Sequence, residues 1–468
     1  MIFFYNTLSG KKEPFHPQVK GKVSLYTCGP TVYDYAHIGN FRAYVFEDLL
    51  KRFLTAMNHK VIHVMNITDV DDKTIRGARA EGLSLKEYTK KYSDAFFEDI
   101  DVLNISRADF YPRATEHIAD MVKMIKGLLK KDYAYQKDGS IYYDISKFPD
   151  YGKLSRIDLE KLKPGERIES DEYEKESVQD FALWKKKKEG EPSWKTEIGE
   201  GRPGWHIECS VMSSKYLGQS FDIHCGGVDN IFPHHENEIA QSEAYSGKKF
   251  VHYWLHCHHL VVEGEKMSKS KGNFYTLRDL LKKNVDPMTL RFLLLSTHYR
   301  KMLNFTFEAL DQAGASLQRI KDFIFELETG PLKEGENKHI NKLVEETRKK
   351  FISGLSDDLN ISAALAALFE LIREANILVA QGQVYQKDSQ NLLSFLRFID
   401  KILAVLPQQK EESLDVEIQE KIKIREKART EKNYKLADQI RQELFQQGIV
   451  LEDTKQGTRW KRIKKKNE

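Results

Sequence analysis

Two short apolar runs bracket one long amphipathic segment near the start of the chain, and this arrangement constrains the fold more than any other feature. Val23-Ser24-Leu25-Tyr26-Thr27-Cys28 is stopped by Gly29-Pro30, and a second run, Val61-Ile62-His63-Val64-Met65, follows the segment. Brief apolar runs bounded by turn formers read as buried strands. Between them Val45, Leu49, Leu50 and Phe53 recur at helical spacing, which predicts a helix from about Ile38 to Met57. Strand, helix and strand with a crossover of this length form a βαβ unit, hence parallel strands and a right-handed connection. Open sheets of this kind bind ligands at the carboxyl ends of their strands. The residues that follow Cys28 are therefore the first place to look for chemistry.

The sheet pattern returns at Ser220-Phe221-Asp222-Ile223-His224 and again over His252–Val262. The expected fold is α/β: a Rossmann-type parallel-sheet catalytic domain built from 1–131 and 201–304. Residues 132–200, charged and turn-rich with strand-like pieces such as Ser140-Ile141-Tyr142-Tyr143-Asp144, read as a connective insertion between its halves. Further helices are expected near 85–102, 115–131, Leu277–Lys283 and Met288–Leu295. From about Phe305 to Leu406 the pattern is helical, which predicts a bundle over 305–406. Within it Leu365, Leu368, Phe369 and Ile372 form one apolar face behind an Asn360 or Ser362 cap. A polar linker, 407–412, leads to a small module, 413–468.

With 468 residues, 40% hydrophobic and 31% charged, the chain has material for about three ordinary domains. No stretch approaches the roughly 20 apolar residues of a membrane span. Met1-Ile2-Phe3-Phe4-Tyr5-Asn6 lacks the basic-then-apolar pattern of a secretory signal. The four scattered cysteines, Cys28, Cys209, Cys225 and Cys257, do not resemble a disulfide framework. A monomer in a reducing cytoplasm, with no membrane partner, is expected. The net charge is +4, but residues 421–468 carry 15 Lys and Arg against 7 Asp and Glu, which leaves the rest of the chain slightly acidic. A basic end on an acidic body fits an enzyme that holds RNA there.

Two motifs speak of ATP. His37-Ile38-Gly39-Asn40 stands where the first strand hands over to its helix, and a helix N-terminus offers N–H groups and partial positive charge to phosphates. His37 and Asn40 are three apart, so both can face one ligand, and Gly39 lets a nucleotide approach the backbone. Far downstream, Lys266-Met267-Ser268-Lys269-Ser270 leads into Lys271-Gly272-Asn273. Two flexible ammonium groups on a small, polar loop suit a polyphosphate whose charge moves during reaction. Each motif alone has an ordinary reading, a capping histidine and a solvated basic loop. Together and in this order they resemble the two signatures of class I aminoacyl-tRNA synthetases, with Asn40 where the first signature usually ends in histidine. That resemblance implies an amino-acid carboxylate attacking the α-phosphate of Mg²⁺-bound ATP, with His37, Asn40, Lys266 and Lys269 as the catalytic groups. It also implies that Gly226-Gly227-Val228-Asp229 receives adenosine, Gly227 along the nucleotide and Asp229 on the ribose.

Pro233-His234-His235-Glu236-Asn237-Glu238 reads as the opening of a helix, which sets His234 and Glu238 on one face at a spacing that can chelate an ion. A zinc hydrolase is disfavoured, because His-Glu-x-x-His is absent; a plain polar helix surface is the ordinary reading. Cys28 at the crevice, Cys209 in Gly204-Trp205-His206-Ile207-Glu208-Cys209-Ser210, and Phe232–Ala244 together resemble the cysteinyl-tRNA synthetase family along essentially the whole chain. The resemblance implies one Zn²⁺ held by Cys28, Cys209, His234 and Glu238. It directs Gly29, Thr68, Trp205 and His206 toward the substrate L-cysteine, and implies a tRNA for cysteine as partner. Cysteine and serine differ by one atom, and an apolar pocket rejects an added hydroxyl by only about a hundredfold, so a thiolate-binding metal answers a need that shape cannot. Asp69, Asp71 and Asp72 read as a capping turn rather than a Mg²⁺ site. Cys225 and Cys257 read as half-buried packing residues, and His256-Cys257-His258-His259 is set aside as a metal site because a strand alternates its faces.

At the basic end a helix is expected over Arg425–Arg441. The resemblance implies that Arg429, Asp438, Asp453 and Trp460 read the anticodon, and Trp460 serves equally well as the plug of a small core. The alternative function is a ligase that joins cysteine to a small amine such as an amino sugar. A terminal RNA-binding module argues against it, since a small acceptor needs none.

Overall fold

The structure, a computed structural model, describes residues 1–156, 180–406, 412–454 and 457–462. Part of the expected insertion and most of the linker 407–412 lie outside these residues. At the centre is a four-stranded parallel sheet in the order Val251–Cys257, Phe221–Gly227, Lys22–Thr27, Lys60–Met65. The two stretches on either side of the insertion therefore meet at mid-sheet, with Leu25, Tyr26 and Thr27 opposite Ile223, His224 and Cys225. Asp222 clamps the join: its carboxylate accepts from Ser24 N at 2.8 Å, Ser24 Oγ at 2.7 Å and Gln18 N at 2.7 Å. Strand order runs outward from this pair in both directions, which places a topological switch point beyond Thr27 and Gly227.

The helix Ile38–Ala56 buries Val45, Leu49, Leu50 and Phe53 against the core, as its spacing predicts. Two further helices carry no such signal. Asp72–Glu81 buries only Thr74, Ile75 and Ala78, too few apolar groups to show a period. Trp205–Leu217 is buried on nearly every side, so no stripe distinguishes it. The acidic turn before Asp72–Glu81 serves the fold: Asp71 caps that helix with Thr74, and Asp69 accepts from Thr115 N at 2.9 Å and Oγ1 at 2.7 Å. Asp72 pairs with Lys185 and Arg202.

The described part of the insertion forms a five-stranded antiparallel sheet, ordered Ala134–Lys137, Ser140–Tyr143, Phe181–Lys186, Gly199–Pro203, Trp194–Thr196. Beyond the parallel-sheet region, Phe307–Thr329, Lys338–Ser356, Ile361–Ala380 and Gln386–Leu403 are helical. Asn360 is the cap of the third, accepting from Ala363 N, and Leu365, Leu368 and Ile372 are buried while Phe369 is half-buried.

The single helix expected over Arg425–Arg441 is two, Glu412–Thr430 and Tyr434–Gln446. Lys432 is left-handed (φ 57°) and Asn433 caps the second helix by accepting from Leu436 N, so local backbone chemistry breaks a stretch whose composition is helical throughout. The hairpin Ile449–Thr454/Gly457–Arg462 covers the pair and shares its core of Ile418, Ile422, Ile440, Leu444, Ile449 and Leu451.

Arg291 joins the parallel-sheet region to the bundle. Fully buried, it donates to Asp48 Oδ2 at 2.5 Å, Leu403 O at 2.9 Å and Leu103 O at 3.0 Å. Burial pushes the Asp48 carboxyl upward, but Arg291 and Arg52 outweigh it and hold it below the usual carboxylate range. Removing one partner of such a pair strands the other. Arg291→Met is expected to cost about 3–5 kcal/mol in urea unfolding. Because the folded Asp48 value is depressed, the contribution is fully present above the ordinary carboxylate value of about 4 and is lost as pH falls from there through the lower folded value. Unfolding measured at pH 7 and in acid checks both statements.

Candidate active site and metal centre

The first turn of Ile38–Ala56 is built by His37 and Asn40 together. His37 Nδ1 accepts from Asn40 N at 3.2 Å, and Asn40 Oδ1 accepts from His37 N at 3.1 Å, a reciprocal capping box. The capping and ligand-facing readings of His37 thus share one residue. Asn40 commits its oxygen to the cap and retains its amide NH₂ as a donor, which an imidazole in its place offers in a different geometry.

The lysine loop docks on this turn. Tyr275 O accepts from Ile38 N at 3.0 Å, Thr276 bridges His37, and the Phe274 ring stands edge-on to His37 at 5.2 Å. A Cβ on Gly39 would lie 2.7 Å from Met267 Cε and 2.9 Å from the His37 ring, so among the described residues these two side chains crowd this glycine. Lys266 is exposed, on the two-residue strand Glu265–Lys266 paired antiparallel with Val261–Val262. The backbone of Lys269 opens the short turn Lys269–Lys271; its side chain is outside the described set. Beyond the second central strand, Asp229 lies in the turn Val228–Asn230, and a Cβ on Gly227 would meet Asp229 Oδ1 at 2.2 Å.

On the other side of the crevice the four expected ligands converge. One ligand atom each from Cys28, Cys209, His234 and Glu238 lie within 4.8 Å of one another. Cys28 directly follows the strand Lys22–Thr27, Cys209 sits on the helix Trp205–Leu217, and Glu238 is on the helix Glu236–Ser246. His234 precedes that helix, in the irregular turn Ile231–His235 rather than in a regular first turn begun by Pro233. It still reaches Glu238, Nε2 to Oε1 at 3.1 Å. Cys209, His234 and Glu238 are buried and Cys28 is half-buried.

The protein's own charges do not favour ionised ligands here. The hydrogen bond with Cys209, then burial, pushes the Cys28 thiol well up, and burial raises Glu238 to about 8. Burial lowers His234 to about 3, so it is a neutral imidazole with a lone pair to give. Two thiols, a neutral imidazole and a carboxyl group make a zinc-type donor set, and only a bound cation reverses the cost of ionising the acidic three. The residues present therefore fit the metal.

Behind the four ligands lies a histidine network in which His206, expected to face the amino acid, is joined by His224, His235 and His256, to which sequence reading gave no role. His206 Nδ1 is 2.9 Å from His234 Nδ1, and His224 Nε2 is 3.0 Å from Glu238 Oε2. His235 Nε2 lies 3.2 Å from Cys28 Sγ, and its Nδ1 is 2.8 Å from His256 Nε2. Such partners fix ligand tautomer and orientation. Cys28, His224, His235 and Glu238 also cluster closely enough to hold an ion, sharing two members with the first set. The strand Phe221–Gly227 sends His224 to this face and Cys225 to the other. Cys225 and Cys257 prove fully buried rather than half-buried, because both enter the core beneath the helix Ile38–Ala56. His256 is buried with the network, whereas His258 and His259 are not buried.

Of the expected cysteine-facing residues, Trp205 is 38% exposed and stacks on His234 with ring centres 4.3 Å apart. Gly29 N donates to Asn66 Oδ1 at 2.9 Å; a Cβ there would meet Asn66 O at 1.7 Å, so a close backbone approach demands glycine. Asn66 Nδ2 donates to Thr68 Oγ1, which donates to Glu208 Oε2 at 3.0 Å. Neither Asn66 nor Glu208 carries a sequence signal beyond its neighbours.

At the basic end, Asp453 accepts from Arg425 at 2.8 and 2.9 Å and pairs with Arg429 at 2.9 Å. The Arg425 hydrogen bonds hold its carboxyl far below the ordinary range. Arg429 and Asp438 are exposed, and Trp460 packs half-buried against the small core. Among the described residues no helix is long and apolar enough to cross a membrane.

Comparison with known proteins agrees with this layout. The family description "tRNA synthetases class I (C) catalytic domain" matches residues 14–315, a DALR domain matches 350–407, and a "Cysteinyl-tRNA ligase anticodon binding domain" matches 412–460. A cysteine--tRNA ligase of Protochlamydia amoebophila is 52% identical over 98% of this chain and 97% of its own. That of Chlamydia muridarum is 50% identical over 99% of this chain and 100% of its own. Among solved structures, Mycobacterium tuberculosis methionyl-tRNA synthetase with methionyl-adenylate shares the fold at a TM-score of 0.60 and 15% identity, covering 82% of this chain and 90% of its own. A leucyl enzyme of Agrobacterium radiobacter K84 does so at 0.60 and 12%, covering 84% and 85%. With the catalytic, DALR and anticodon-binding descriptions matched in order and these relatives 50–52% identical over nearly the full length, the chain belongs to the cysteinyl-tRNA synthetase family of class I aminoacyl-tRNA synthetases.

Proposed function

We propose that the protein attaches L-cysteine to its tRNA at the expense of ATP, through a cysteinyl-adenylate, in the cytoplasm. The observation that carries the reading is the convergence of Cys28, Cys209, His234 and Glu238 at the switch-point crevice whose other flank is the ATP signature pair. On this reading the domains divide as 1–131 with 201–304 for catalysis, 132–200 for the insertion, 305–406 for the bundle and 413–468 for the anticodon module. The small-amine ligase finds no support, since relatives named cysteine--tRNA ligase are similar over the full length, anticodon module included.

In the proposed reaction the cysteine carboxylate attacks the α-phosphate in line and pyrophosphate leaves, a step that needs positioning and charge stabilisation more than a protein base. His37 and Asn40 hold the phosphates at the helix N-terminus, Gly39 and Gly227 line the nucleotide, Asp229 holds the ribose, and Lys266 with Lys269 follows the leaving charge while Mg²⁺ accompanies ATP. Gly29, Thr68, Trp205 and His206 enclose the amino acid. A Zn²⁺ held by Cys28, Cys209, His234 and Glu238 would supply an open position that takes a thiolate and lowers the thiol's pKa, which a serine hydroxyl cannot match. Arg429, Asp438, Asp453 and Trp460 contact the anticodon, Asp453 by orienting Arg429.

Charging total tRNA with each labelled amino acid is expected to yield cysteinyl-tRNA alone; cysteine activation without any charged tRNA would favour the small-amine ligase. Cys209→Ser is expected to lose bound zinc, read by metal analysis. Its preference for cysteine over serine in ATP–pyrophosphate exchange should fall to about a hundredfold or less. Full discrimination in a zinc-free variant would sink the metal reading. Lys266→Ala is expected to slow exchange by about a hundred- to a thousandfold with zinc content unchanged.

A further inference from the structure

The lysine loop is held in shape by one side chain that the reaction scheme above does not use. Asn273 brackets Met267: its Oδ1 accepts from Ser268 N at 2.8 Å, and its Nδ2 donates to Lys266 O at 3.3 Å. A single carboxamide thus pairs with the backbone on both sides of one residue, as a neighbouring strand would. Gly272, left-handed at φ 69°, turns the chain so that Asn273 can face back across the loop. The bracketed residue, Met267, is the one whose side chain rests on Gly39. Directly after Asn273 come Phe274, Tyr275 and Thr276, which meet His37 and Ile38.

These contacts form one mechanical unit. The downstream limb of the loop is pinned to the N-terminus of Ile38–Ala56 by backbone pairing, and Asn273 transfers that fixed position across the loop to Lys266 and Ser268. Among the described residues, the other ties within the loop do not join its two limbs as Asn273 does; Lys271 N donates to Ser268 O at 3.2 Å within the turn itself. Lys271 pairs with Glu265 at 2.8 Å, but both side chains are more than half exposed, and exposed pairs contribute little. Ser268 and Ser270 share a hydroxyl contact that does not reach either limb.

We propose that Asn273 is a positioning residue for adenylate formation, setting the backbone of Lys266 against the start of the helix that carries His37 and Asn40. The proposal rests on the ATP-site reading given above and adds a residue and a direction to it. The amide is required as both donor and acceptor. An aspartate of the same size keeps the acceptor for Ser268 N and turns an oxygen toward the Lys266 carbonyl.

The test is cysteine-dependent ATP–pyrophosphate exchange by the full-length enzyme and by Asn273→Asp, Asn273→Ala, Lys266→Ala and the double variant Asn273→Ala with Lys266→Ala. Both single Asn273 variants are expected to lower kcat/KM for ATP about tenfold or more, leaving KM for cysteine within about twofold and zinc content unchanged. In the Lys266→Ala background the Asn273→Ala change should have almost no further effect, since the group being positioned is gone. Equal losses toward ATP and cysteine, full additivity with Lys266→Ala, or unaltered kinetics would each overturn the role of Asn273. Absence of exchange in the unsubstituted enzyme would instead overturn the ATP-site reading, so the two failures are distinguishable.

Discussion

The pairing of Lys22–Thr27 with Phe221–Gly227 is the interaction on which the rest of the molecule depends. It joins two stretches separated by the whole insertion and sets Leu25, Tyr26 and Thr27 against Ile223, His224 and Cys225. Cys28 N donates to Cys225 O just past the paired residues. The same register carries Cys28 to the crevice and faces His224 toward Glu238. A slip of one residue would turn every side chain on one strand to the other face, exchanging His224 for Cys225 and dismantling the ligand cluster. Asp222, which accepts from Ser24 and Gln18, is well placed to prevent that slip.

Around this pair the protein buries an unusual amount of polar surface. Five histidines, two thiols and a carboxyl group lie together, and each histidine has a nitrogen within hydrogen-bond distance of another group. Buried polar groups are tolerated when they are partnered; the exception in this cluster is Glu238 Oε1, which has no hydrogen-bond partner among the described residues and belongs to the donor set. The Trp254 ring stacks on His224, with ring centres 4.6 Å apart, and seals the network from beneath. The flank proposed for ATP is organised differently, by backbone and capping bonds at the start of one helix and by an exposed loop resting on it. A buried, interlocked donor cluster and an exposed loop resting on a helix start thus occupy opposite sides of one crevice.

The βαβ unit, the helix Ile38–Ala56 and the apolar face of Ile361–Ala380 were legible because each shows its period in apolar residues. Asp72–Glu81 and Trp205–Leu217 were not, the first because it buries so little and the second because it buries nearly everything. The break between Thr430 and Tyr434 depends on one left-handed lysine and a capping asparagine, features that leave average propensity unchanged. Cys225 and Cys257 were placed too near the surface, since sequence does not say which side of a strand a helix will cover.

The order of the two signatures, the four sulfur, nitrogen and oxygen donors, and the basic end are properties of the sequence, and they were enough to point to the family that the comparisons show. Tertiary structure alone decided that His224, His235 and His256 stand behind the donors, that Met267 rests on Gly39, and that Asn273 ties the lysine loop together. The reason is physical. Residue type and local spacing announce what a side chain can bind. Which distant side chains become its neighbours is set by strand register and helix packing, and these are cooperative properties of the whole chain.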